Sequence, residues 1–177
     1  MPDRLADVDW LVRVERPADA DAIGRVHAAA FGRRDEADLV RALRAEADSY
    51  LGLAAEKSGA VVAHIAFSPV AIEHGRSARP ALALGPLAVD PGLQRRGAGS
   101  ALVEAGLRAC TERGVGLVFV LGHPAYYPRF GFAPAATRGF LYRDATHAPA
   151  FFVRELVPGA AEGLSGRVHY HRAFEGL

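Results

Sequence analysis

The residues of this 177-residue chain best suited to chemistry by type and spacing are Gln94-Arg95-Arg96-Gly97-Ala98-Gly99-Ser100, where two arginines run into two close glycines at the start of an amphipathic helical pattern. The first N–H groups of a helix have no intrahelical partner and sit at the positive end of its dipole, so such a junction can cradle a phosphate or pyrophosphate. Glycines without a Cβ let the backbone approach the anion, and Arg95 and Arg96 add charge-assisted donors. The same spacing also describes a glycine-rich turn that carries exposed arginines. Two familiar phosphate loops are excluded. Gly99 is followed directly by Ser100, without the lysine of a Walker loop. Leu102 stands where a dinucleotide fingerprint needs a third small residue, and Val118-Phe119-Val120-Leu121 occupies the region where its acid belongs. NTPase and dehydrogenase activities drop out.

Other reactive side chains read as structural. Cys110 falls on the apolar stripe of a helix and is a small core residue rather than a nucleophile. His169 and His171 alternate onto one strand face, but two imidazoles without a third ligand do not make a metal site. Glu36, Asp38 and Glu46 are placed on a solvated helix face.

The elements that hold the loop follow from periodicity. Trp10 to Glu15 alternates as a strand, and a helix with Pro17 in its first turn carries Ile23, Val26, His27, Ala30 and Phe31 at helical spacing up to Gly32. A second helix spans Asp35 to Ala47. Two apolar runs around Ser58-Gly59 form a hairpin, and a third run follows a polar turn at His74 to Arg79. Gly85-Pro86 within that third strand removes a ladder donor and predicts a bulge or splay. From Gly97 the helical period returns, with Ala98, Leu102, Ala105, Ala109 and Cys110 on one face and Gly114 as a stop. Residues 115–121 form a continuous apolar run, a buried central strand. A short helical turn ends at Gly131, and weaker strand signals lie near residues 151–156 and 168–171. The order β-α-α-β-β-β-α-β-α-β-β describes a mixed α/β sheet in one domain over residues 1–177.

Composition narrows the setting. Lys plus Arg number 21 against 20 for Asp plus Glu, so a net charge of +1 supplies no global field for nucleic acid or an acidic membrane. A single cysteine excludes an internal disulfide framework and suits a reducing cytoplasm. The first ten residues contain no signal-peptide core, and no run approaches the ~18 apolar residues of a membrane span. The pattern leaves oligomeric state open, a homodimer included.

Gln/Arg-x-x-Gly-x-Gly/Ala after Leu87-Ala88-Val89-Asp90-Pro91 resembles the GNAT N-acetyltransferase superfamily, and the likeness covers the element order from Trp10 to Phe132, most specifically residues 84–132. Residues 120–135 also look like one branch of that superfamily, predicted acetyltransferases with largely unassigned substrates. The resemblance implies a mostly antiparallel sheet with flanking helices, and acetyl-CoA as the cofactor, released as coenzyme A. It also implies pyrophosphate binding by Arg95, Arg96, Gly97, Ala98, Gly99 and Ser100, and strand-like pairing of the pantetheine arm with Leu87, Ala88 and Val89. Tyr127-Pro128-Arg129-Phe130-Gly131-Phe132 is similar to the family's Tyr-x-x-x-Gly-Phe ending, which makes Tyr127 the acid for the departing thiolate and Tyr126 its neighbouring alternative. A phenol with pKa about 10 can share a proton with an alkyl thiol. The implied reaction is direct attack of an amine, small-molecule or protein-borne, without an acyl-enzyme, and the resemblance also implies that the helix region of Glu36, Asp38 and Glu46 can border the acceptor pocket. The family's basic Glu is missing: Phe119 and Val120 occupy its strand, leaving His64, Glu73 and His123 as replacements. A non-catalytic acyl-CoA-binding or sensing module is the alternative that this absence favours.

Overall fold

The computed structural model describes residues 10–177, so the reading of a missing leader over residues 1–9 lies outside the described residues. Among the described residues nine strands form one sheet, with β1 (Leu11–Val14), β2 (Leu51–Lys57), β3 (Ala60–His74) and β4 (Ser77–Val89) as successive antiparallel neighbours. Ser58 and Gly59 turn the β2–β3 hairpin with φ of 51° and 79°, the left-handed pair that suits a strand's twist. The next turn is tighter than the polar run predicts. Only Gly75 and Arg76 lie between β3 and β4, because Ser77 to Arg79 already pair with Ile72 to His74.

Helices α1 (Ala20–Phe31) and α2 (Asp35–Glu46) lie between β1 and β2 in sequence, and Gly32 ends α1 in a left-handed conformation. Arg13 on β1 donates to Asp19 at 2.7 and 2.9 Å and also to Glu56, which ties the entry of α1 to the sheet edge. Helix α3 (Ala98–Glu112) joins β4 to β5 (Leu117–Leu121) as a crossover, and this pair is therefore parallel. The buried face of α3 is carried by Leu102, Val103, Gly106, Leu107 and Cys110, whereas Ala105 and Ala109 are only half-buried. That shifts the expected stripe around the helix, because alanine and glycine mark a face weakly.

The sheet is covered on both sides. Ile65, Phe67, Leu84, Val118 and Val120 pack against α3, while Ala66 meets Ile23 and Val40 of the first two helices. Beyond them on that second side, Ile72, Ala83 and Phe119 are covered by the late chain, including Phe140 and Phe151. That late chain contains two strands that periodicity did not reveal, β6 (Ala133–Pro134) and β7 (Phe140–Leu141), each two residues long. β8 (Phe151–Glu155) pairs with β5, and β9 (Gly166–Tyr170) pairs with β3 past the point where β2 ends. Among the described residues no helix is long and apolar enough to cross a membrane.

The functional consequence lies between β4 and β5. Their pairing covers only Leu82–Leu84 against Val118–Val120 and stops at the cis Gly85-Pro86 bond, where the β3–β4 register also shifts. The predicted disruption is therefore an opening at the centre of the sheet.

Candidate active site

Beyond the opening, β4 keeps its pairing with β3 on one side only. Asp90 N–H donates to the Val62 carbonyl at 2.8 Å, and ladder alternation then turns the N–H groups of Leu87 and Val89 away from β3, toward the gap. The chain continues through a 3-10 turn at Pro91–Leu93 into Gly97, the N-cap of α3. Arg95 and Gly97 both hold left-handed φ, 60° and 95°. An arginine there is strained, and such strain persists where the surroundings enforce it. The first helical bond runs from Ala101 N–H to the Gly97 carbonyl at 2.9 Å, so the N–H groups of Ala98, Gly99 and Ser100 have no helical partner.

These features line a groove of about 420 Å³ that contains Leu87, Ala88, Val89, Arg95, Gly97, Gly99 and Ser100, with Tyr126 and Arg129 opposite. Two residues of the predicted cradle contribute differently. Ala98 buries its side chain beneath the turn and offers only backbone, and the Arg96 side chain lies outside the groove while its carbonyl accepts a 3.2 Å bond from Trp10 Nε1. A Cβ on Gly99 would stand 3.1 Å from Tyr126 Oη and 3.6 Å from Val89 Cγ2, inside this space. An anionic, amide-bearing chain such as that of coenzyme A fits this donor set.

The groove meets a second cavity of about 390 Å³ at Phe31, Leu87 and Tyr126. Tyr127 lines that second cavity, in a 3-10 turn ended by Gly131. Its ring is buried over Gly122, where a Cβ would come within 2.3 Å of Cε2, and it meets Tyr126 edge-on with centroids 5.0 Å apart. Burial, reinforced by Tyr126, raises the Tyr127 pKa, so the phenol keeps its proton through the neutral range.

The candidate bases separate clearly. His64 lines neither cavity. It is fully buried, with Nε2 2.6 Å from Glu15 Oε2 and Nδ1 2.9 Å from His27 Nε2. Burial works against ionisation of Glu15, but hydrogen bonds from His64 and Arg44 bring its pKa down to about 2. Burial lowers His64, against the pull of Glu15, and burial followed by the charges of His64 and Arg44 lowers His27 to about 3. With both rings neutral, His64 donates to Glu15 and accepts from His27. Glu73 is exposed and pairs with His169 at 2.8 Å, near the hairpin end of the β3–β4 ladder and away from the β4–β5 opening. His171 Nδ1 accepts from Ala173 N–H at 3.1 Å. His123 does line the cavity, but its Nδ1 accepts from Ala125 N–H at 3.2 Å, which directs a neutral ring's proton to Nε2. Cys110 is fully buried and burial pushes its thiol up to about 12, which suits a core residue.

The buried pair of rings carries a stability prediction. The folded pKa of His27 lies below its unfolded value of about 6.5, so its contribution is complete above that pH and is lost as pH falls toward about 3. His27 steepens the loss by about 1.4 kcal/mol per pH unit in that window, His64, lowered in the same direction by its burial, adds to the loss below about 6.5, and Glu15 adds a further loss between about 4.5 and 2. Urea unfolding midpoints should fall from pH 7 to pH 5, and a flat profile over that range would contradict the neutral-ring assignment.

Sequence reasoning placed Glu36 on a solvated face, and the structure corrects this. Asp38 and Glu46 are exposed, but Glu36 is buried and lines the second cavity. Arg33 Nη2 donates to it at 2.5 Å, and this bond holds the carboxyl below its ordinary range against the opposing effect of burial.

Residues 12–135 match the model of the acetyltransferase (GNAT) domain family. The chain is 38% identical over 165 residues to the uncharacterized N-acetyltransferase YhbS of Escherichia coli K12, covering 93% of this chain and 98% of that one. It superposes with a TM-score of 0.88 on the crystal structure of Escherichia coli YhbS in complex with CoA, at 36% identity over 96% of this chain and 94% of the other. A GNAT family acetyltransferase from Brucella melitensis, in complex with acetyl-CoA, matches with a TM-score of 0.76 at 36% identity, covering 94% and 99% of the two chains.

Proposed function

This chain belongs to the GNAT acetyltransferase family, and we propose which of its residues perform the reaction. It is an N-acetyltransferase that uses acetyl-CoA and acts on an amine. The observation that carries the assignment is the junction at Leu87 and Tyr126 of a groove floored by the α3 N-terminus and a cavity holding the Tyr127 ring.

In this reading the free N–H groups of Ala98, Gly99 and Ser100 bind the pyrophosphate, with Arg95 at the edge and Arg96 contributing charge from outside the groove. The outward N–H groups of Leu87 and Val89 pair with the amide-bearing arm, and Ala88 holds that segment to β3 through its pairing with His64. Acetyl-CoA supplies the activated acetyl thioester. Tyr127 keeps a proton available for the thiolate that leaves. Residues 1–177 act as one acetyltransferase unit, and a lone buried Cys110 suits the cytoplasm as its compartment.

Release of coenzyme A thiol that depends on an added amine tests this reading, since a binding module would hold acetyl-CoA without consuming it. The acceptor's own ionisation should set the pH profile. Glu36 is held ionised by Arg33 and is a weak base, and His64 lies outside the cavity. For an alkyl amine of pKa about 10.4, kcat/KM is therefore expected to rise through pH 8 to 9. A weakly basic aromatic amine should show no such rise. A plateau near pH 6 to 7 with the alkyl amine, abolished in His123→Gln, would overturn the base-free site.

A further inference from the structure

We infer that Phe174 sets the length of acceptor this enzyme takes, as a wall of the cavity beside Tyr127, and that an ion pair between Arg172 and Glu46 holds this wall in place. The inference rests on the acetyl-transfer reading above, with the amine meeting the thioester through this cavity.

The wall is built unlike the rest of the cavity. Leu39 lies on α2, Leu84 and Pro86 on β4, and Leu121 on β5, all elements tied by backbone hydrogen bonds. Phe174 and Leu177 come instead from chain beyond β9, whose pairing with β3 ends at Tyr170 opposite Val70. Among the described residues the backbone N–H bonds of this segment are local. Phe174 N–H donates to the His171 carbonyl at 3.0 Å, Glu175 N–H to that of Arg172 at 2.9 Å, and Ala173 N–H to His171 Nδ1 at 3.1 Å. Side chains make the attachment to other elements. Arg172 Nε and Nη2 donate to Glu46 Oε2 at 3.1 and 2.9 Å, and the Phe174 ring meets Tyr170 edge-on with centroids 5.1 Å apart. Glu46 is the last residue of α2, and Leu39 lines the cavity two turns earlier, so the segment runs back along α2 and closes the cavity beside Leu39.

This construction selects by length. Behind Phe174, the Tyr170 ring is itself packed on Tyr142 at 4.7 Å, which gives the wall a firm aromatic backing. An apolar acceptor body gains about fourfold in affinity for each methylene it buries in such a space, until it reaches the ring. One methylene too many then costs about 10- to 200-fold, because it must displace the segment. The tether is the softer part. The side chains of Arg172 and Glu46 are 74% and 41% exposed, and a pair so hydrated shifts an equilibrium by no more than about fivefold.

The test uses the full chain and coenzyme A thioethers that carry a phenylalkyl group of increasing length on sulfur, so that the substituent extends from the position of the leaving thiolate into the cavity. Calorimetric affinities, each taken relative to coenzyme A in the same protein, should rise with length, break and then fall. In Phe174→Ala the break should move to longer substituents, with the longest gaining about tenfold or more over the parent. Arg172→Glu sets two acids together on an exposed surface, where folding does not depend on them, and should shift the same affinities in the same direction by up to about fivefold. Adding Glu46→Arg to it should restore the parent break. Affinities that never rise with length, or one break shared by the parent and Phe174→Ala, overturn the wall. Parent behaviour in Arg172→Glu, or a swapped pair that does not restore the break, overturns the tether. Phenylalkylamines of the same lengths separate these outcomes from the transfer reading. A shifted thioether break without amine-dependent thiol release keeps Phe174 as the wall and removes the reaction; release whose length dependence ignores Phe174→Ala keeps the reaction and removes the inference.

Discussion

Gly99→Leu is expected to lose measurable acetyl-CoA binding in calorimetry while melting close to the parent temperature. Gly99 lies in the first turn of α3 with ordinary helical geometry, where leucine is a better helix former by about 0.5 to 1 kcal/mol. The substitution therefore does not strain the backbone. Its Cβ alone stands 3.1 Å from Tyr126 Oη, and the atoms beyond it enter the groove between α3 and Val89. They would cover the N–H groups left without helical partners, and the loss should reach at least about 100-fold, equivalent to about 2.7 kcal/mol. Gly97 is the poorer probe. With φ at 95° it cannot take a side chain without strain of about 1 to 2 kcal/mol, so a defect there would mix folding with binding. Unchanged affinity in a folded Gly99→Leu protein would remove the α3 N-terminus from the coenzyme site.

What the sequence revealed, and what it hid, divides by the range of the forces involved. Ser58-Gly59 specified a hairpin because its turn chemistry is complete within two residues, and Gly85-Pro86 announced the end of β4–β5 pairing because each acts on its own backbone. The free N–H groups at the start of α3 were legible for the same reason, since a helix N-terminus is a local object. Glu36 was misread. Its charge grouped it with solvated Asp38, although Glu36 stands three, four and seven residues before Leu39, Val40 and Leu43 on the buried face of α2, and Asp38 lies on the opposite, exposed face; that spacing was the available signal. The β3–β9 pairing depends on a longer chain of events, because β9 must return across the sequence to extend the edge of β3 where β2 stops. Strands of two residues, such as β6 and β7, have no period to read. The proposed coenzyme groove is therefore built from neighbouring residues whose order can be read, and the second cavity beside Tyr127 is made by tertiary contacts.

Tyr127→Phe should lower kcat by about 10²- to 10⁴-fold and leave the acetyl-CoA dissociation constant within about twofold. The ring is held without help from its hydroxyl: it lies over Gly122 and meets Phe132 edge-on at 5.8 Å, so phenylalanine keeps the packing. Burial raises the phenol's pKa, and the same apolar surroundings disfavour a thiolate formed beside it, so the two acids remain matched as both shift. Tyr126 should behave differently. Its ring lies under the Arg129 guanidinium at 4.1 Å and its hydroxyl faces Gly99 across the coenzyme groove, so Tyr126→Phe is expected to weaken acetyl-CoA binding more than turnover. Single-turnover rates at saturating acetyl-CoA separate the two effects. A slow Tyr126→Phe beside a fully active Tyr127→Phe would transfer the proton to the neighbouring phenol. Parent rates in both would mean that the thiolate leaves without a proton from this turn, and transition-state stabilisation would then rest on the backbone N–H groups that Leu87 and Val89 turn toward the gap, which no side-chain deletion can remove.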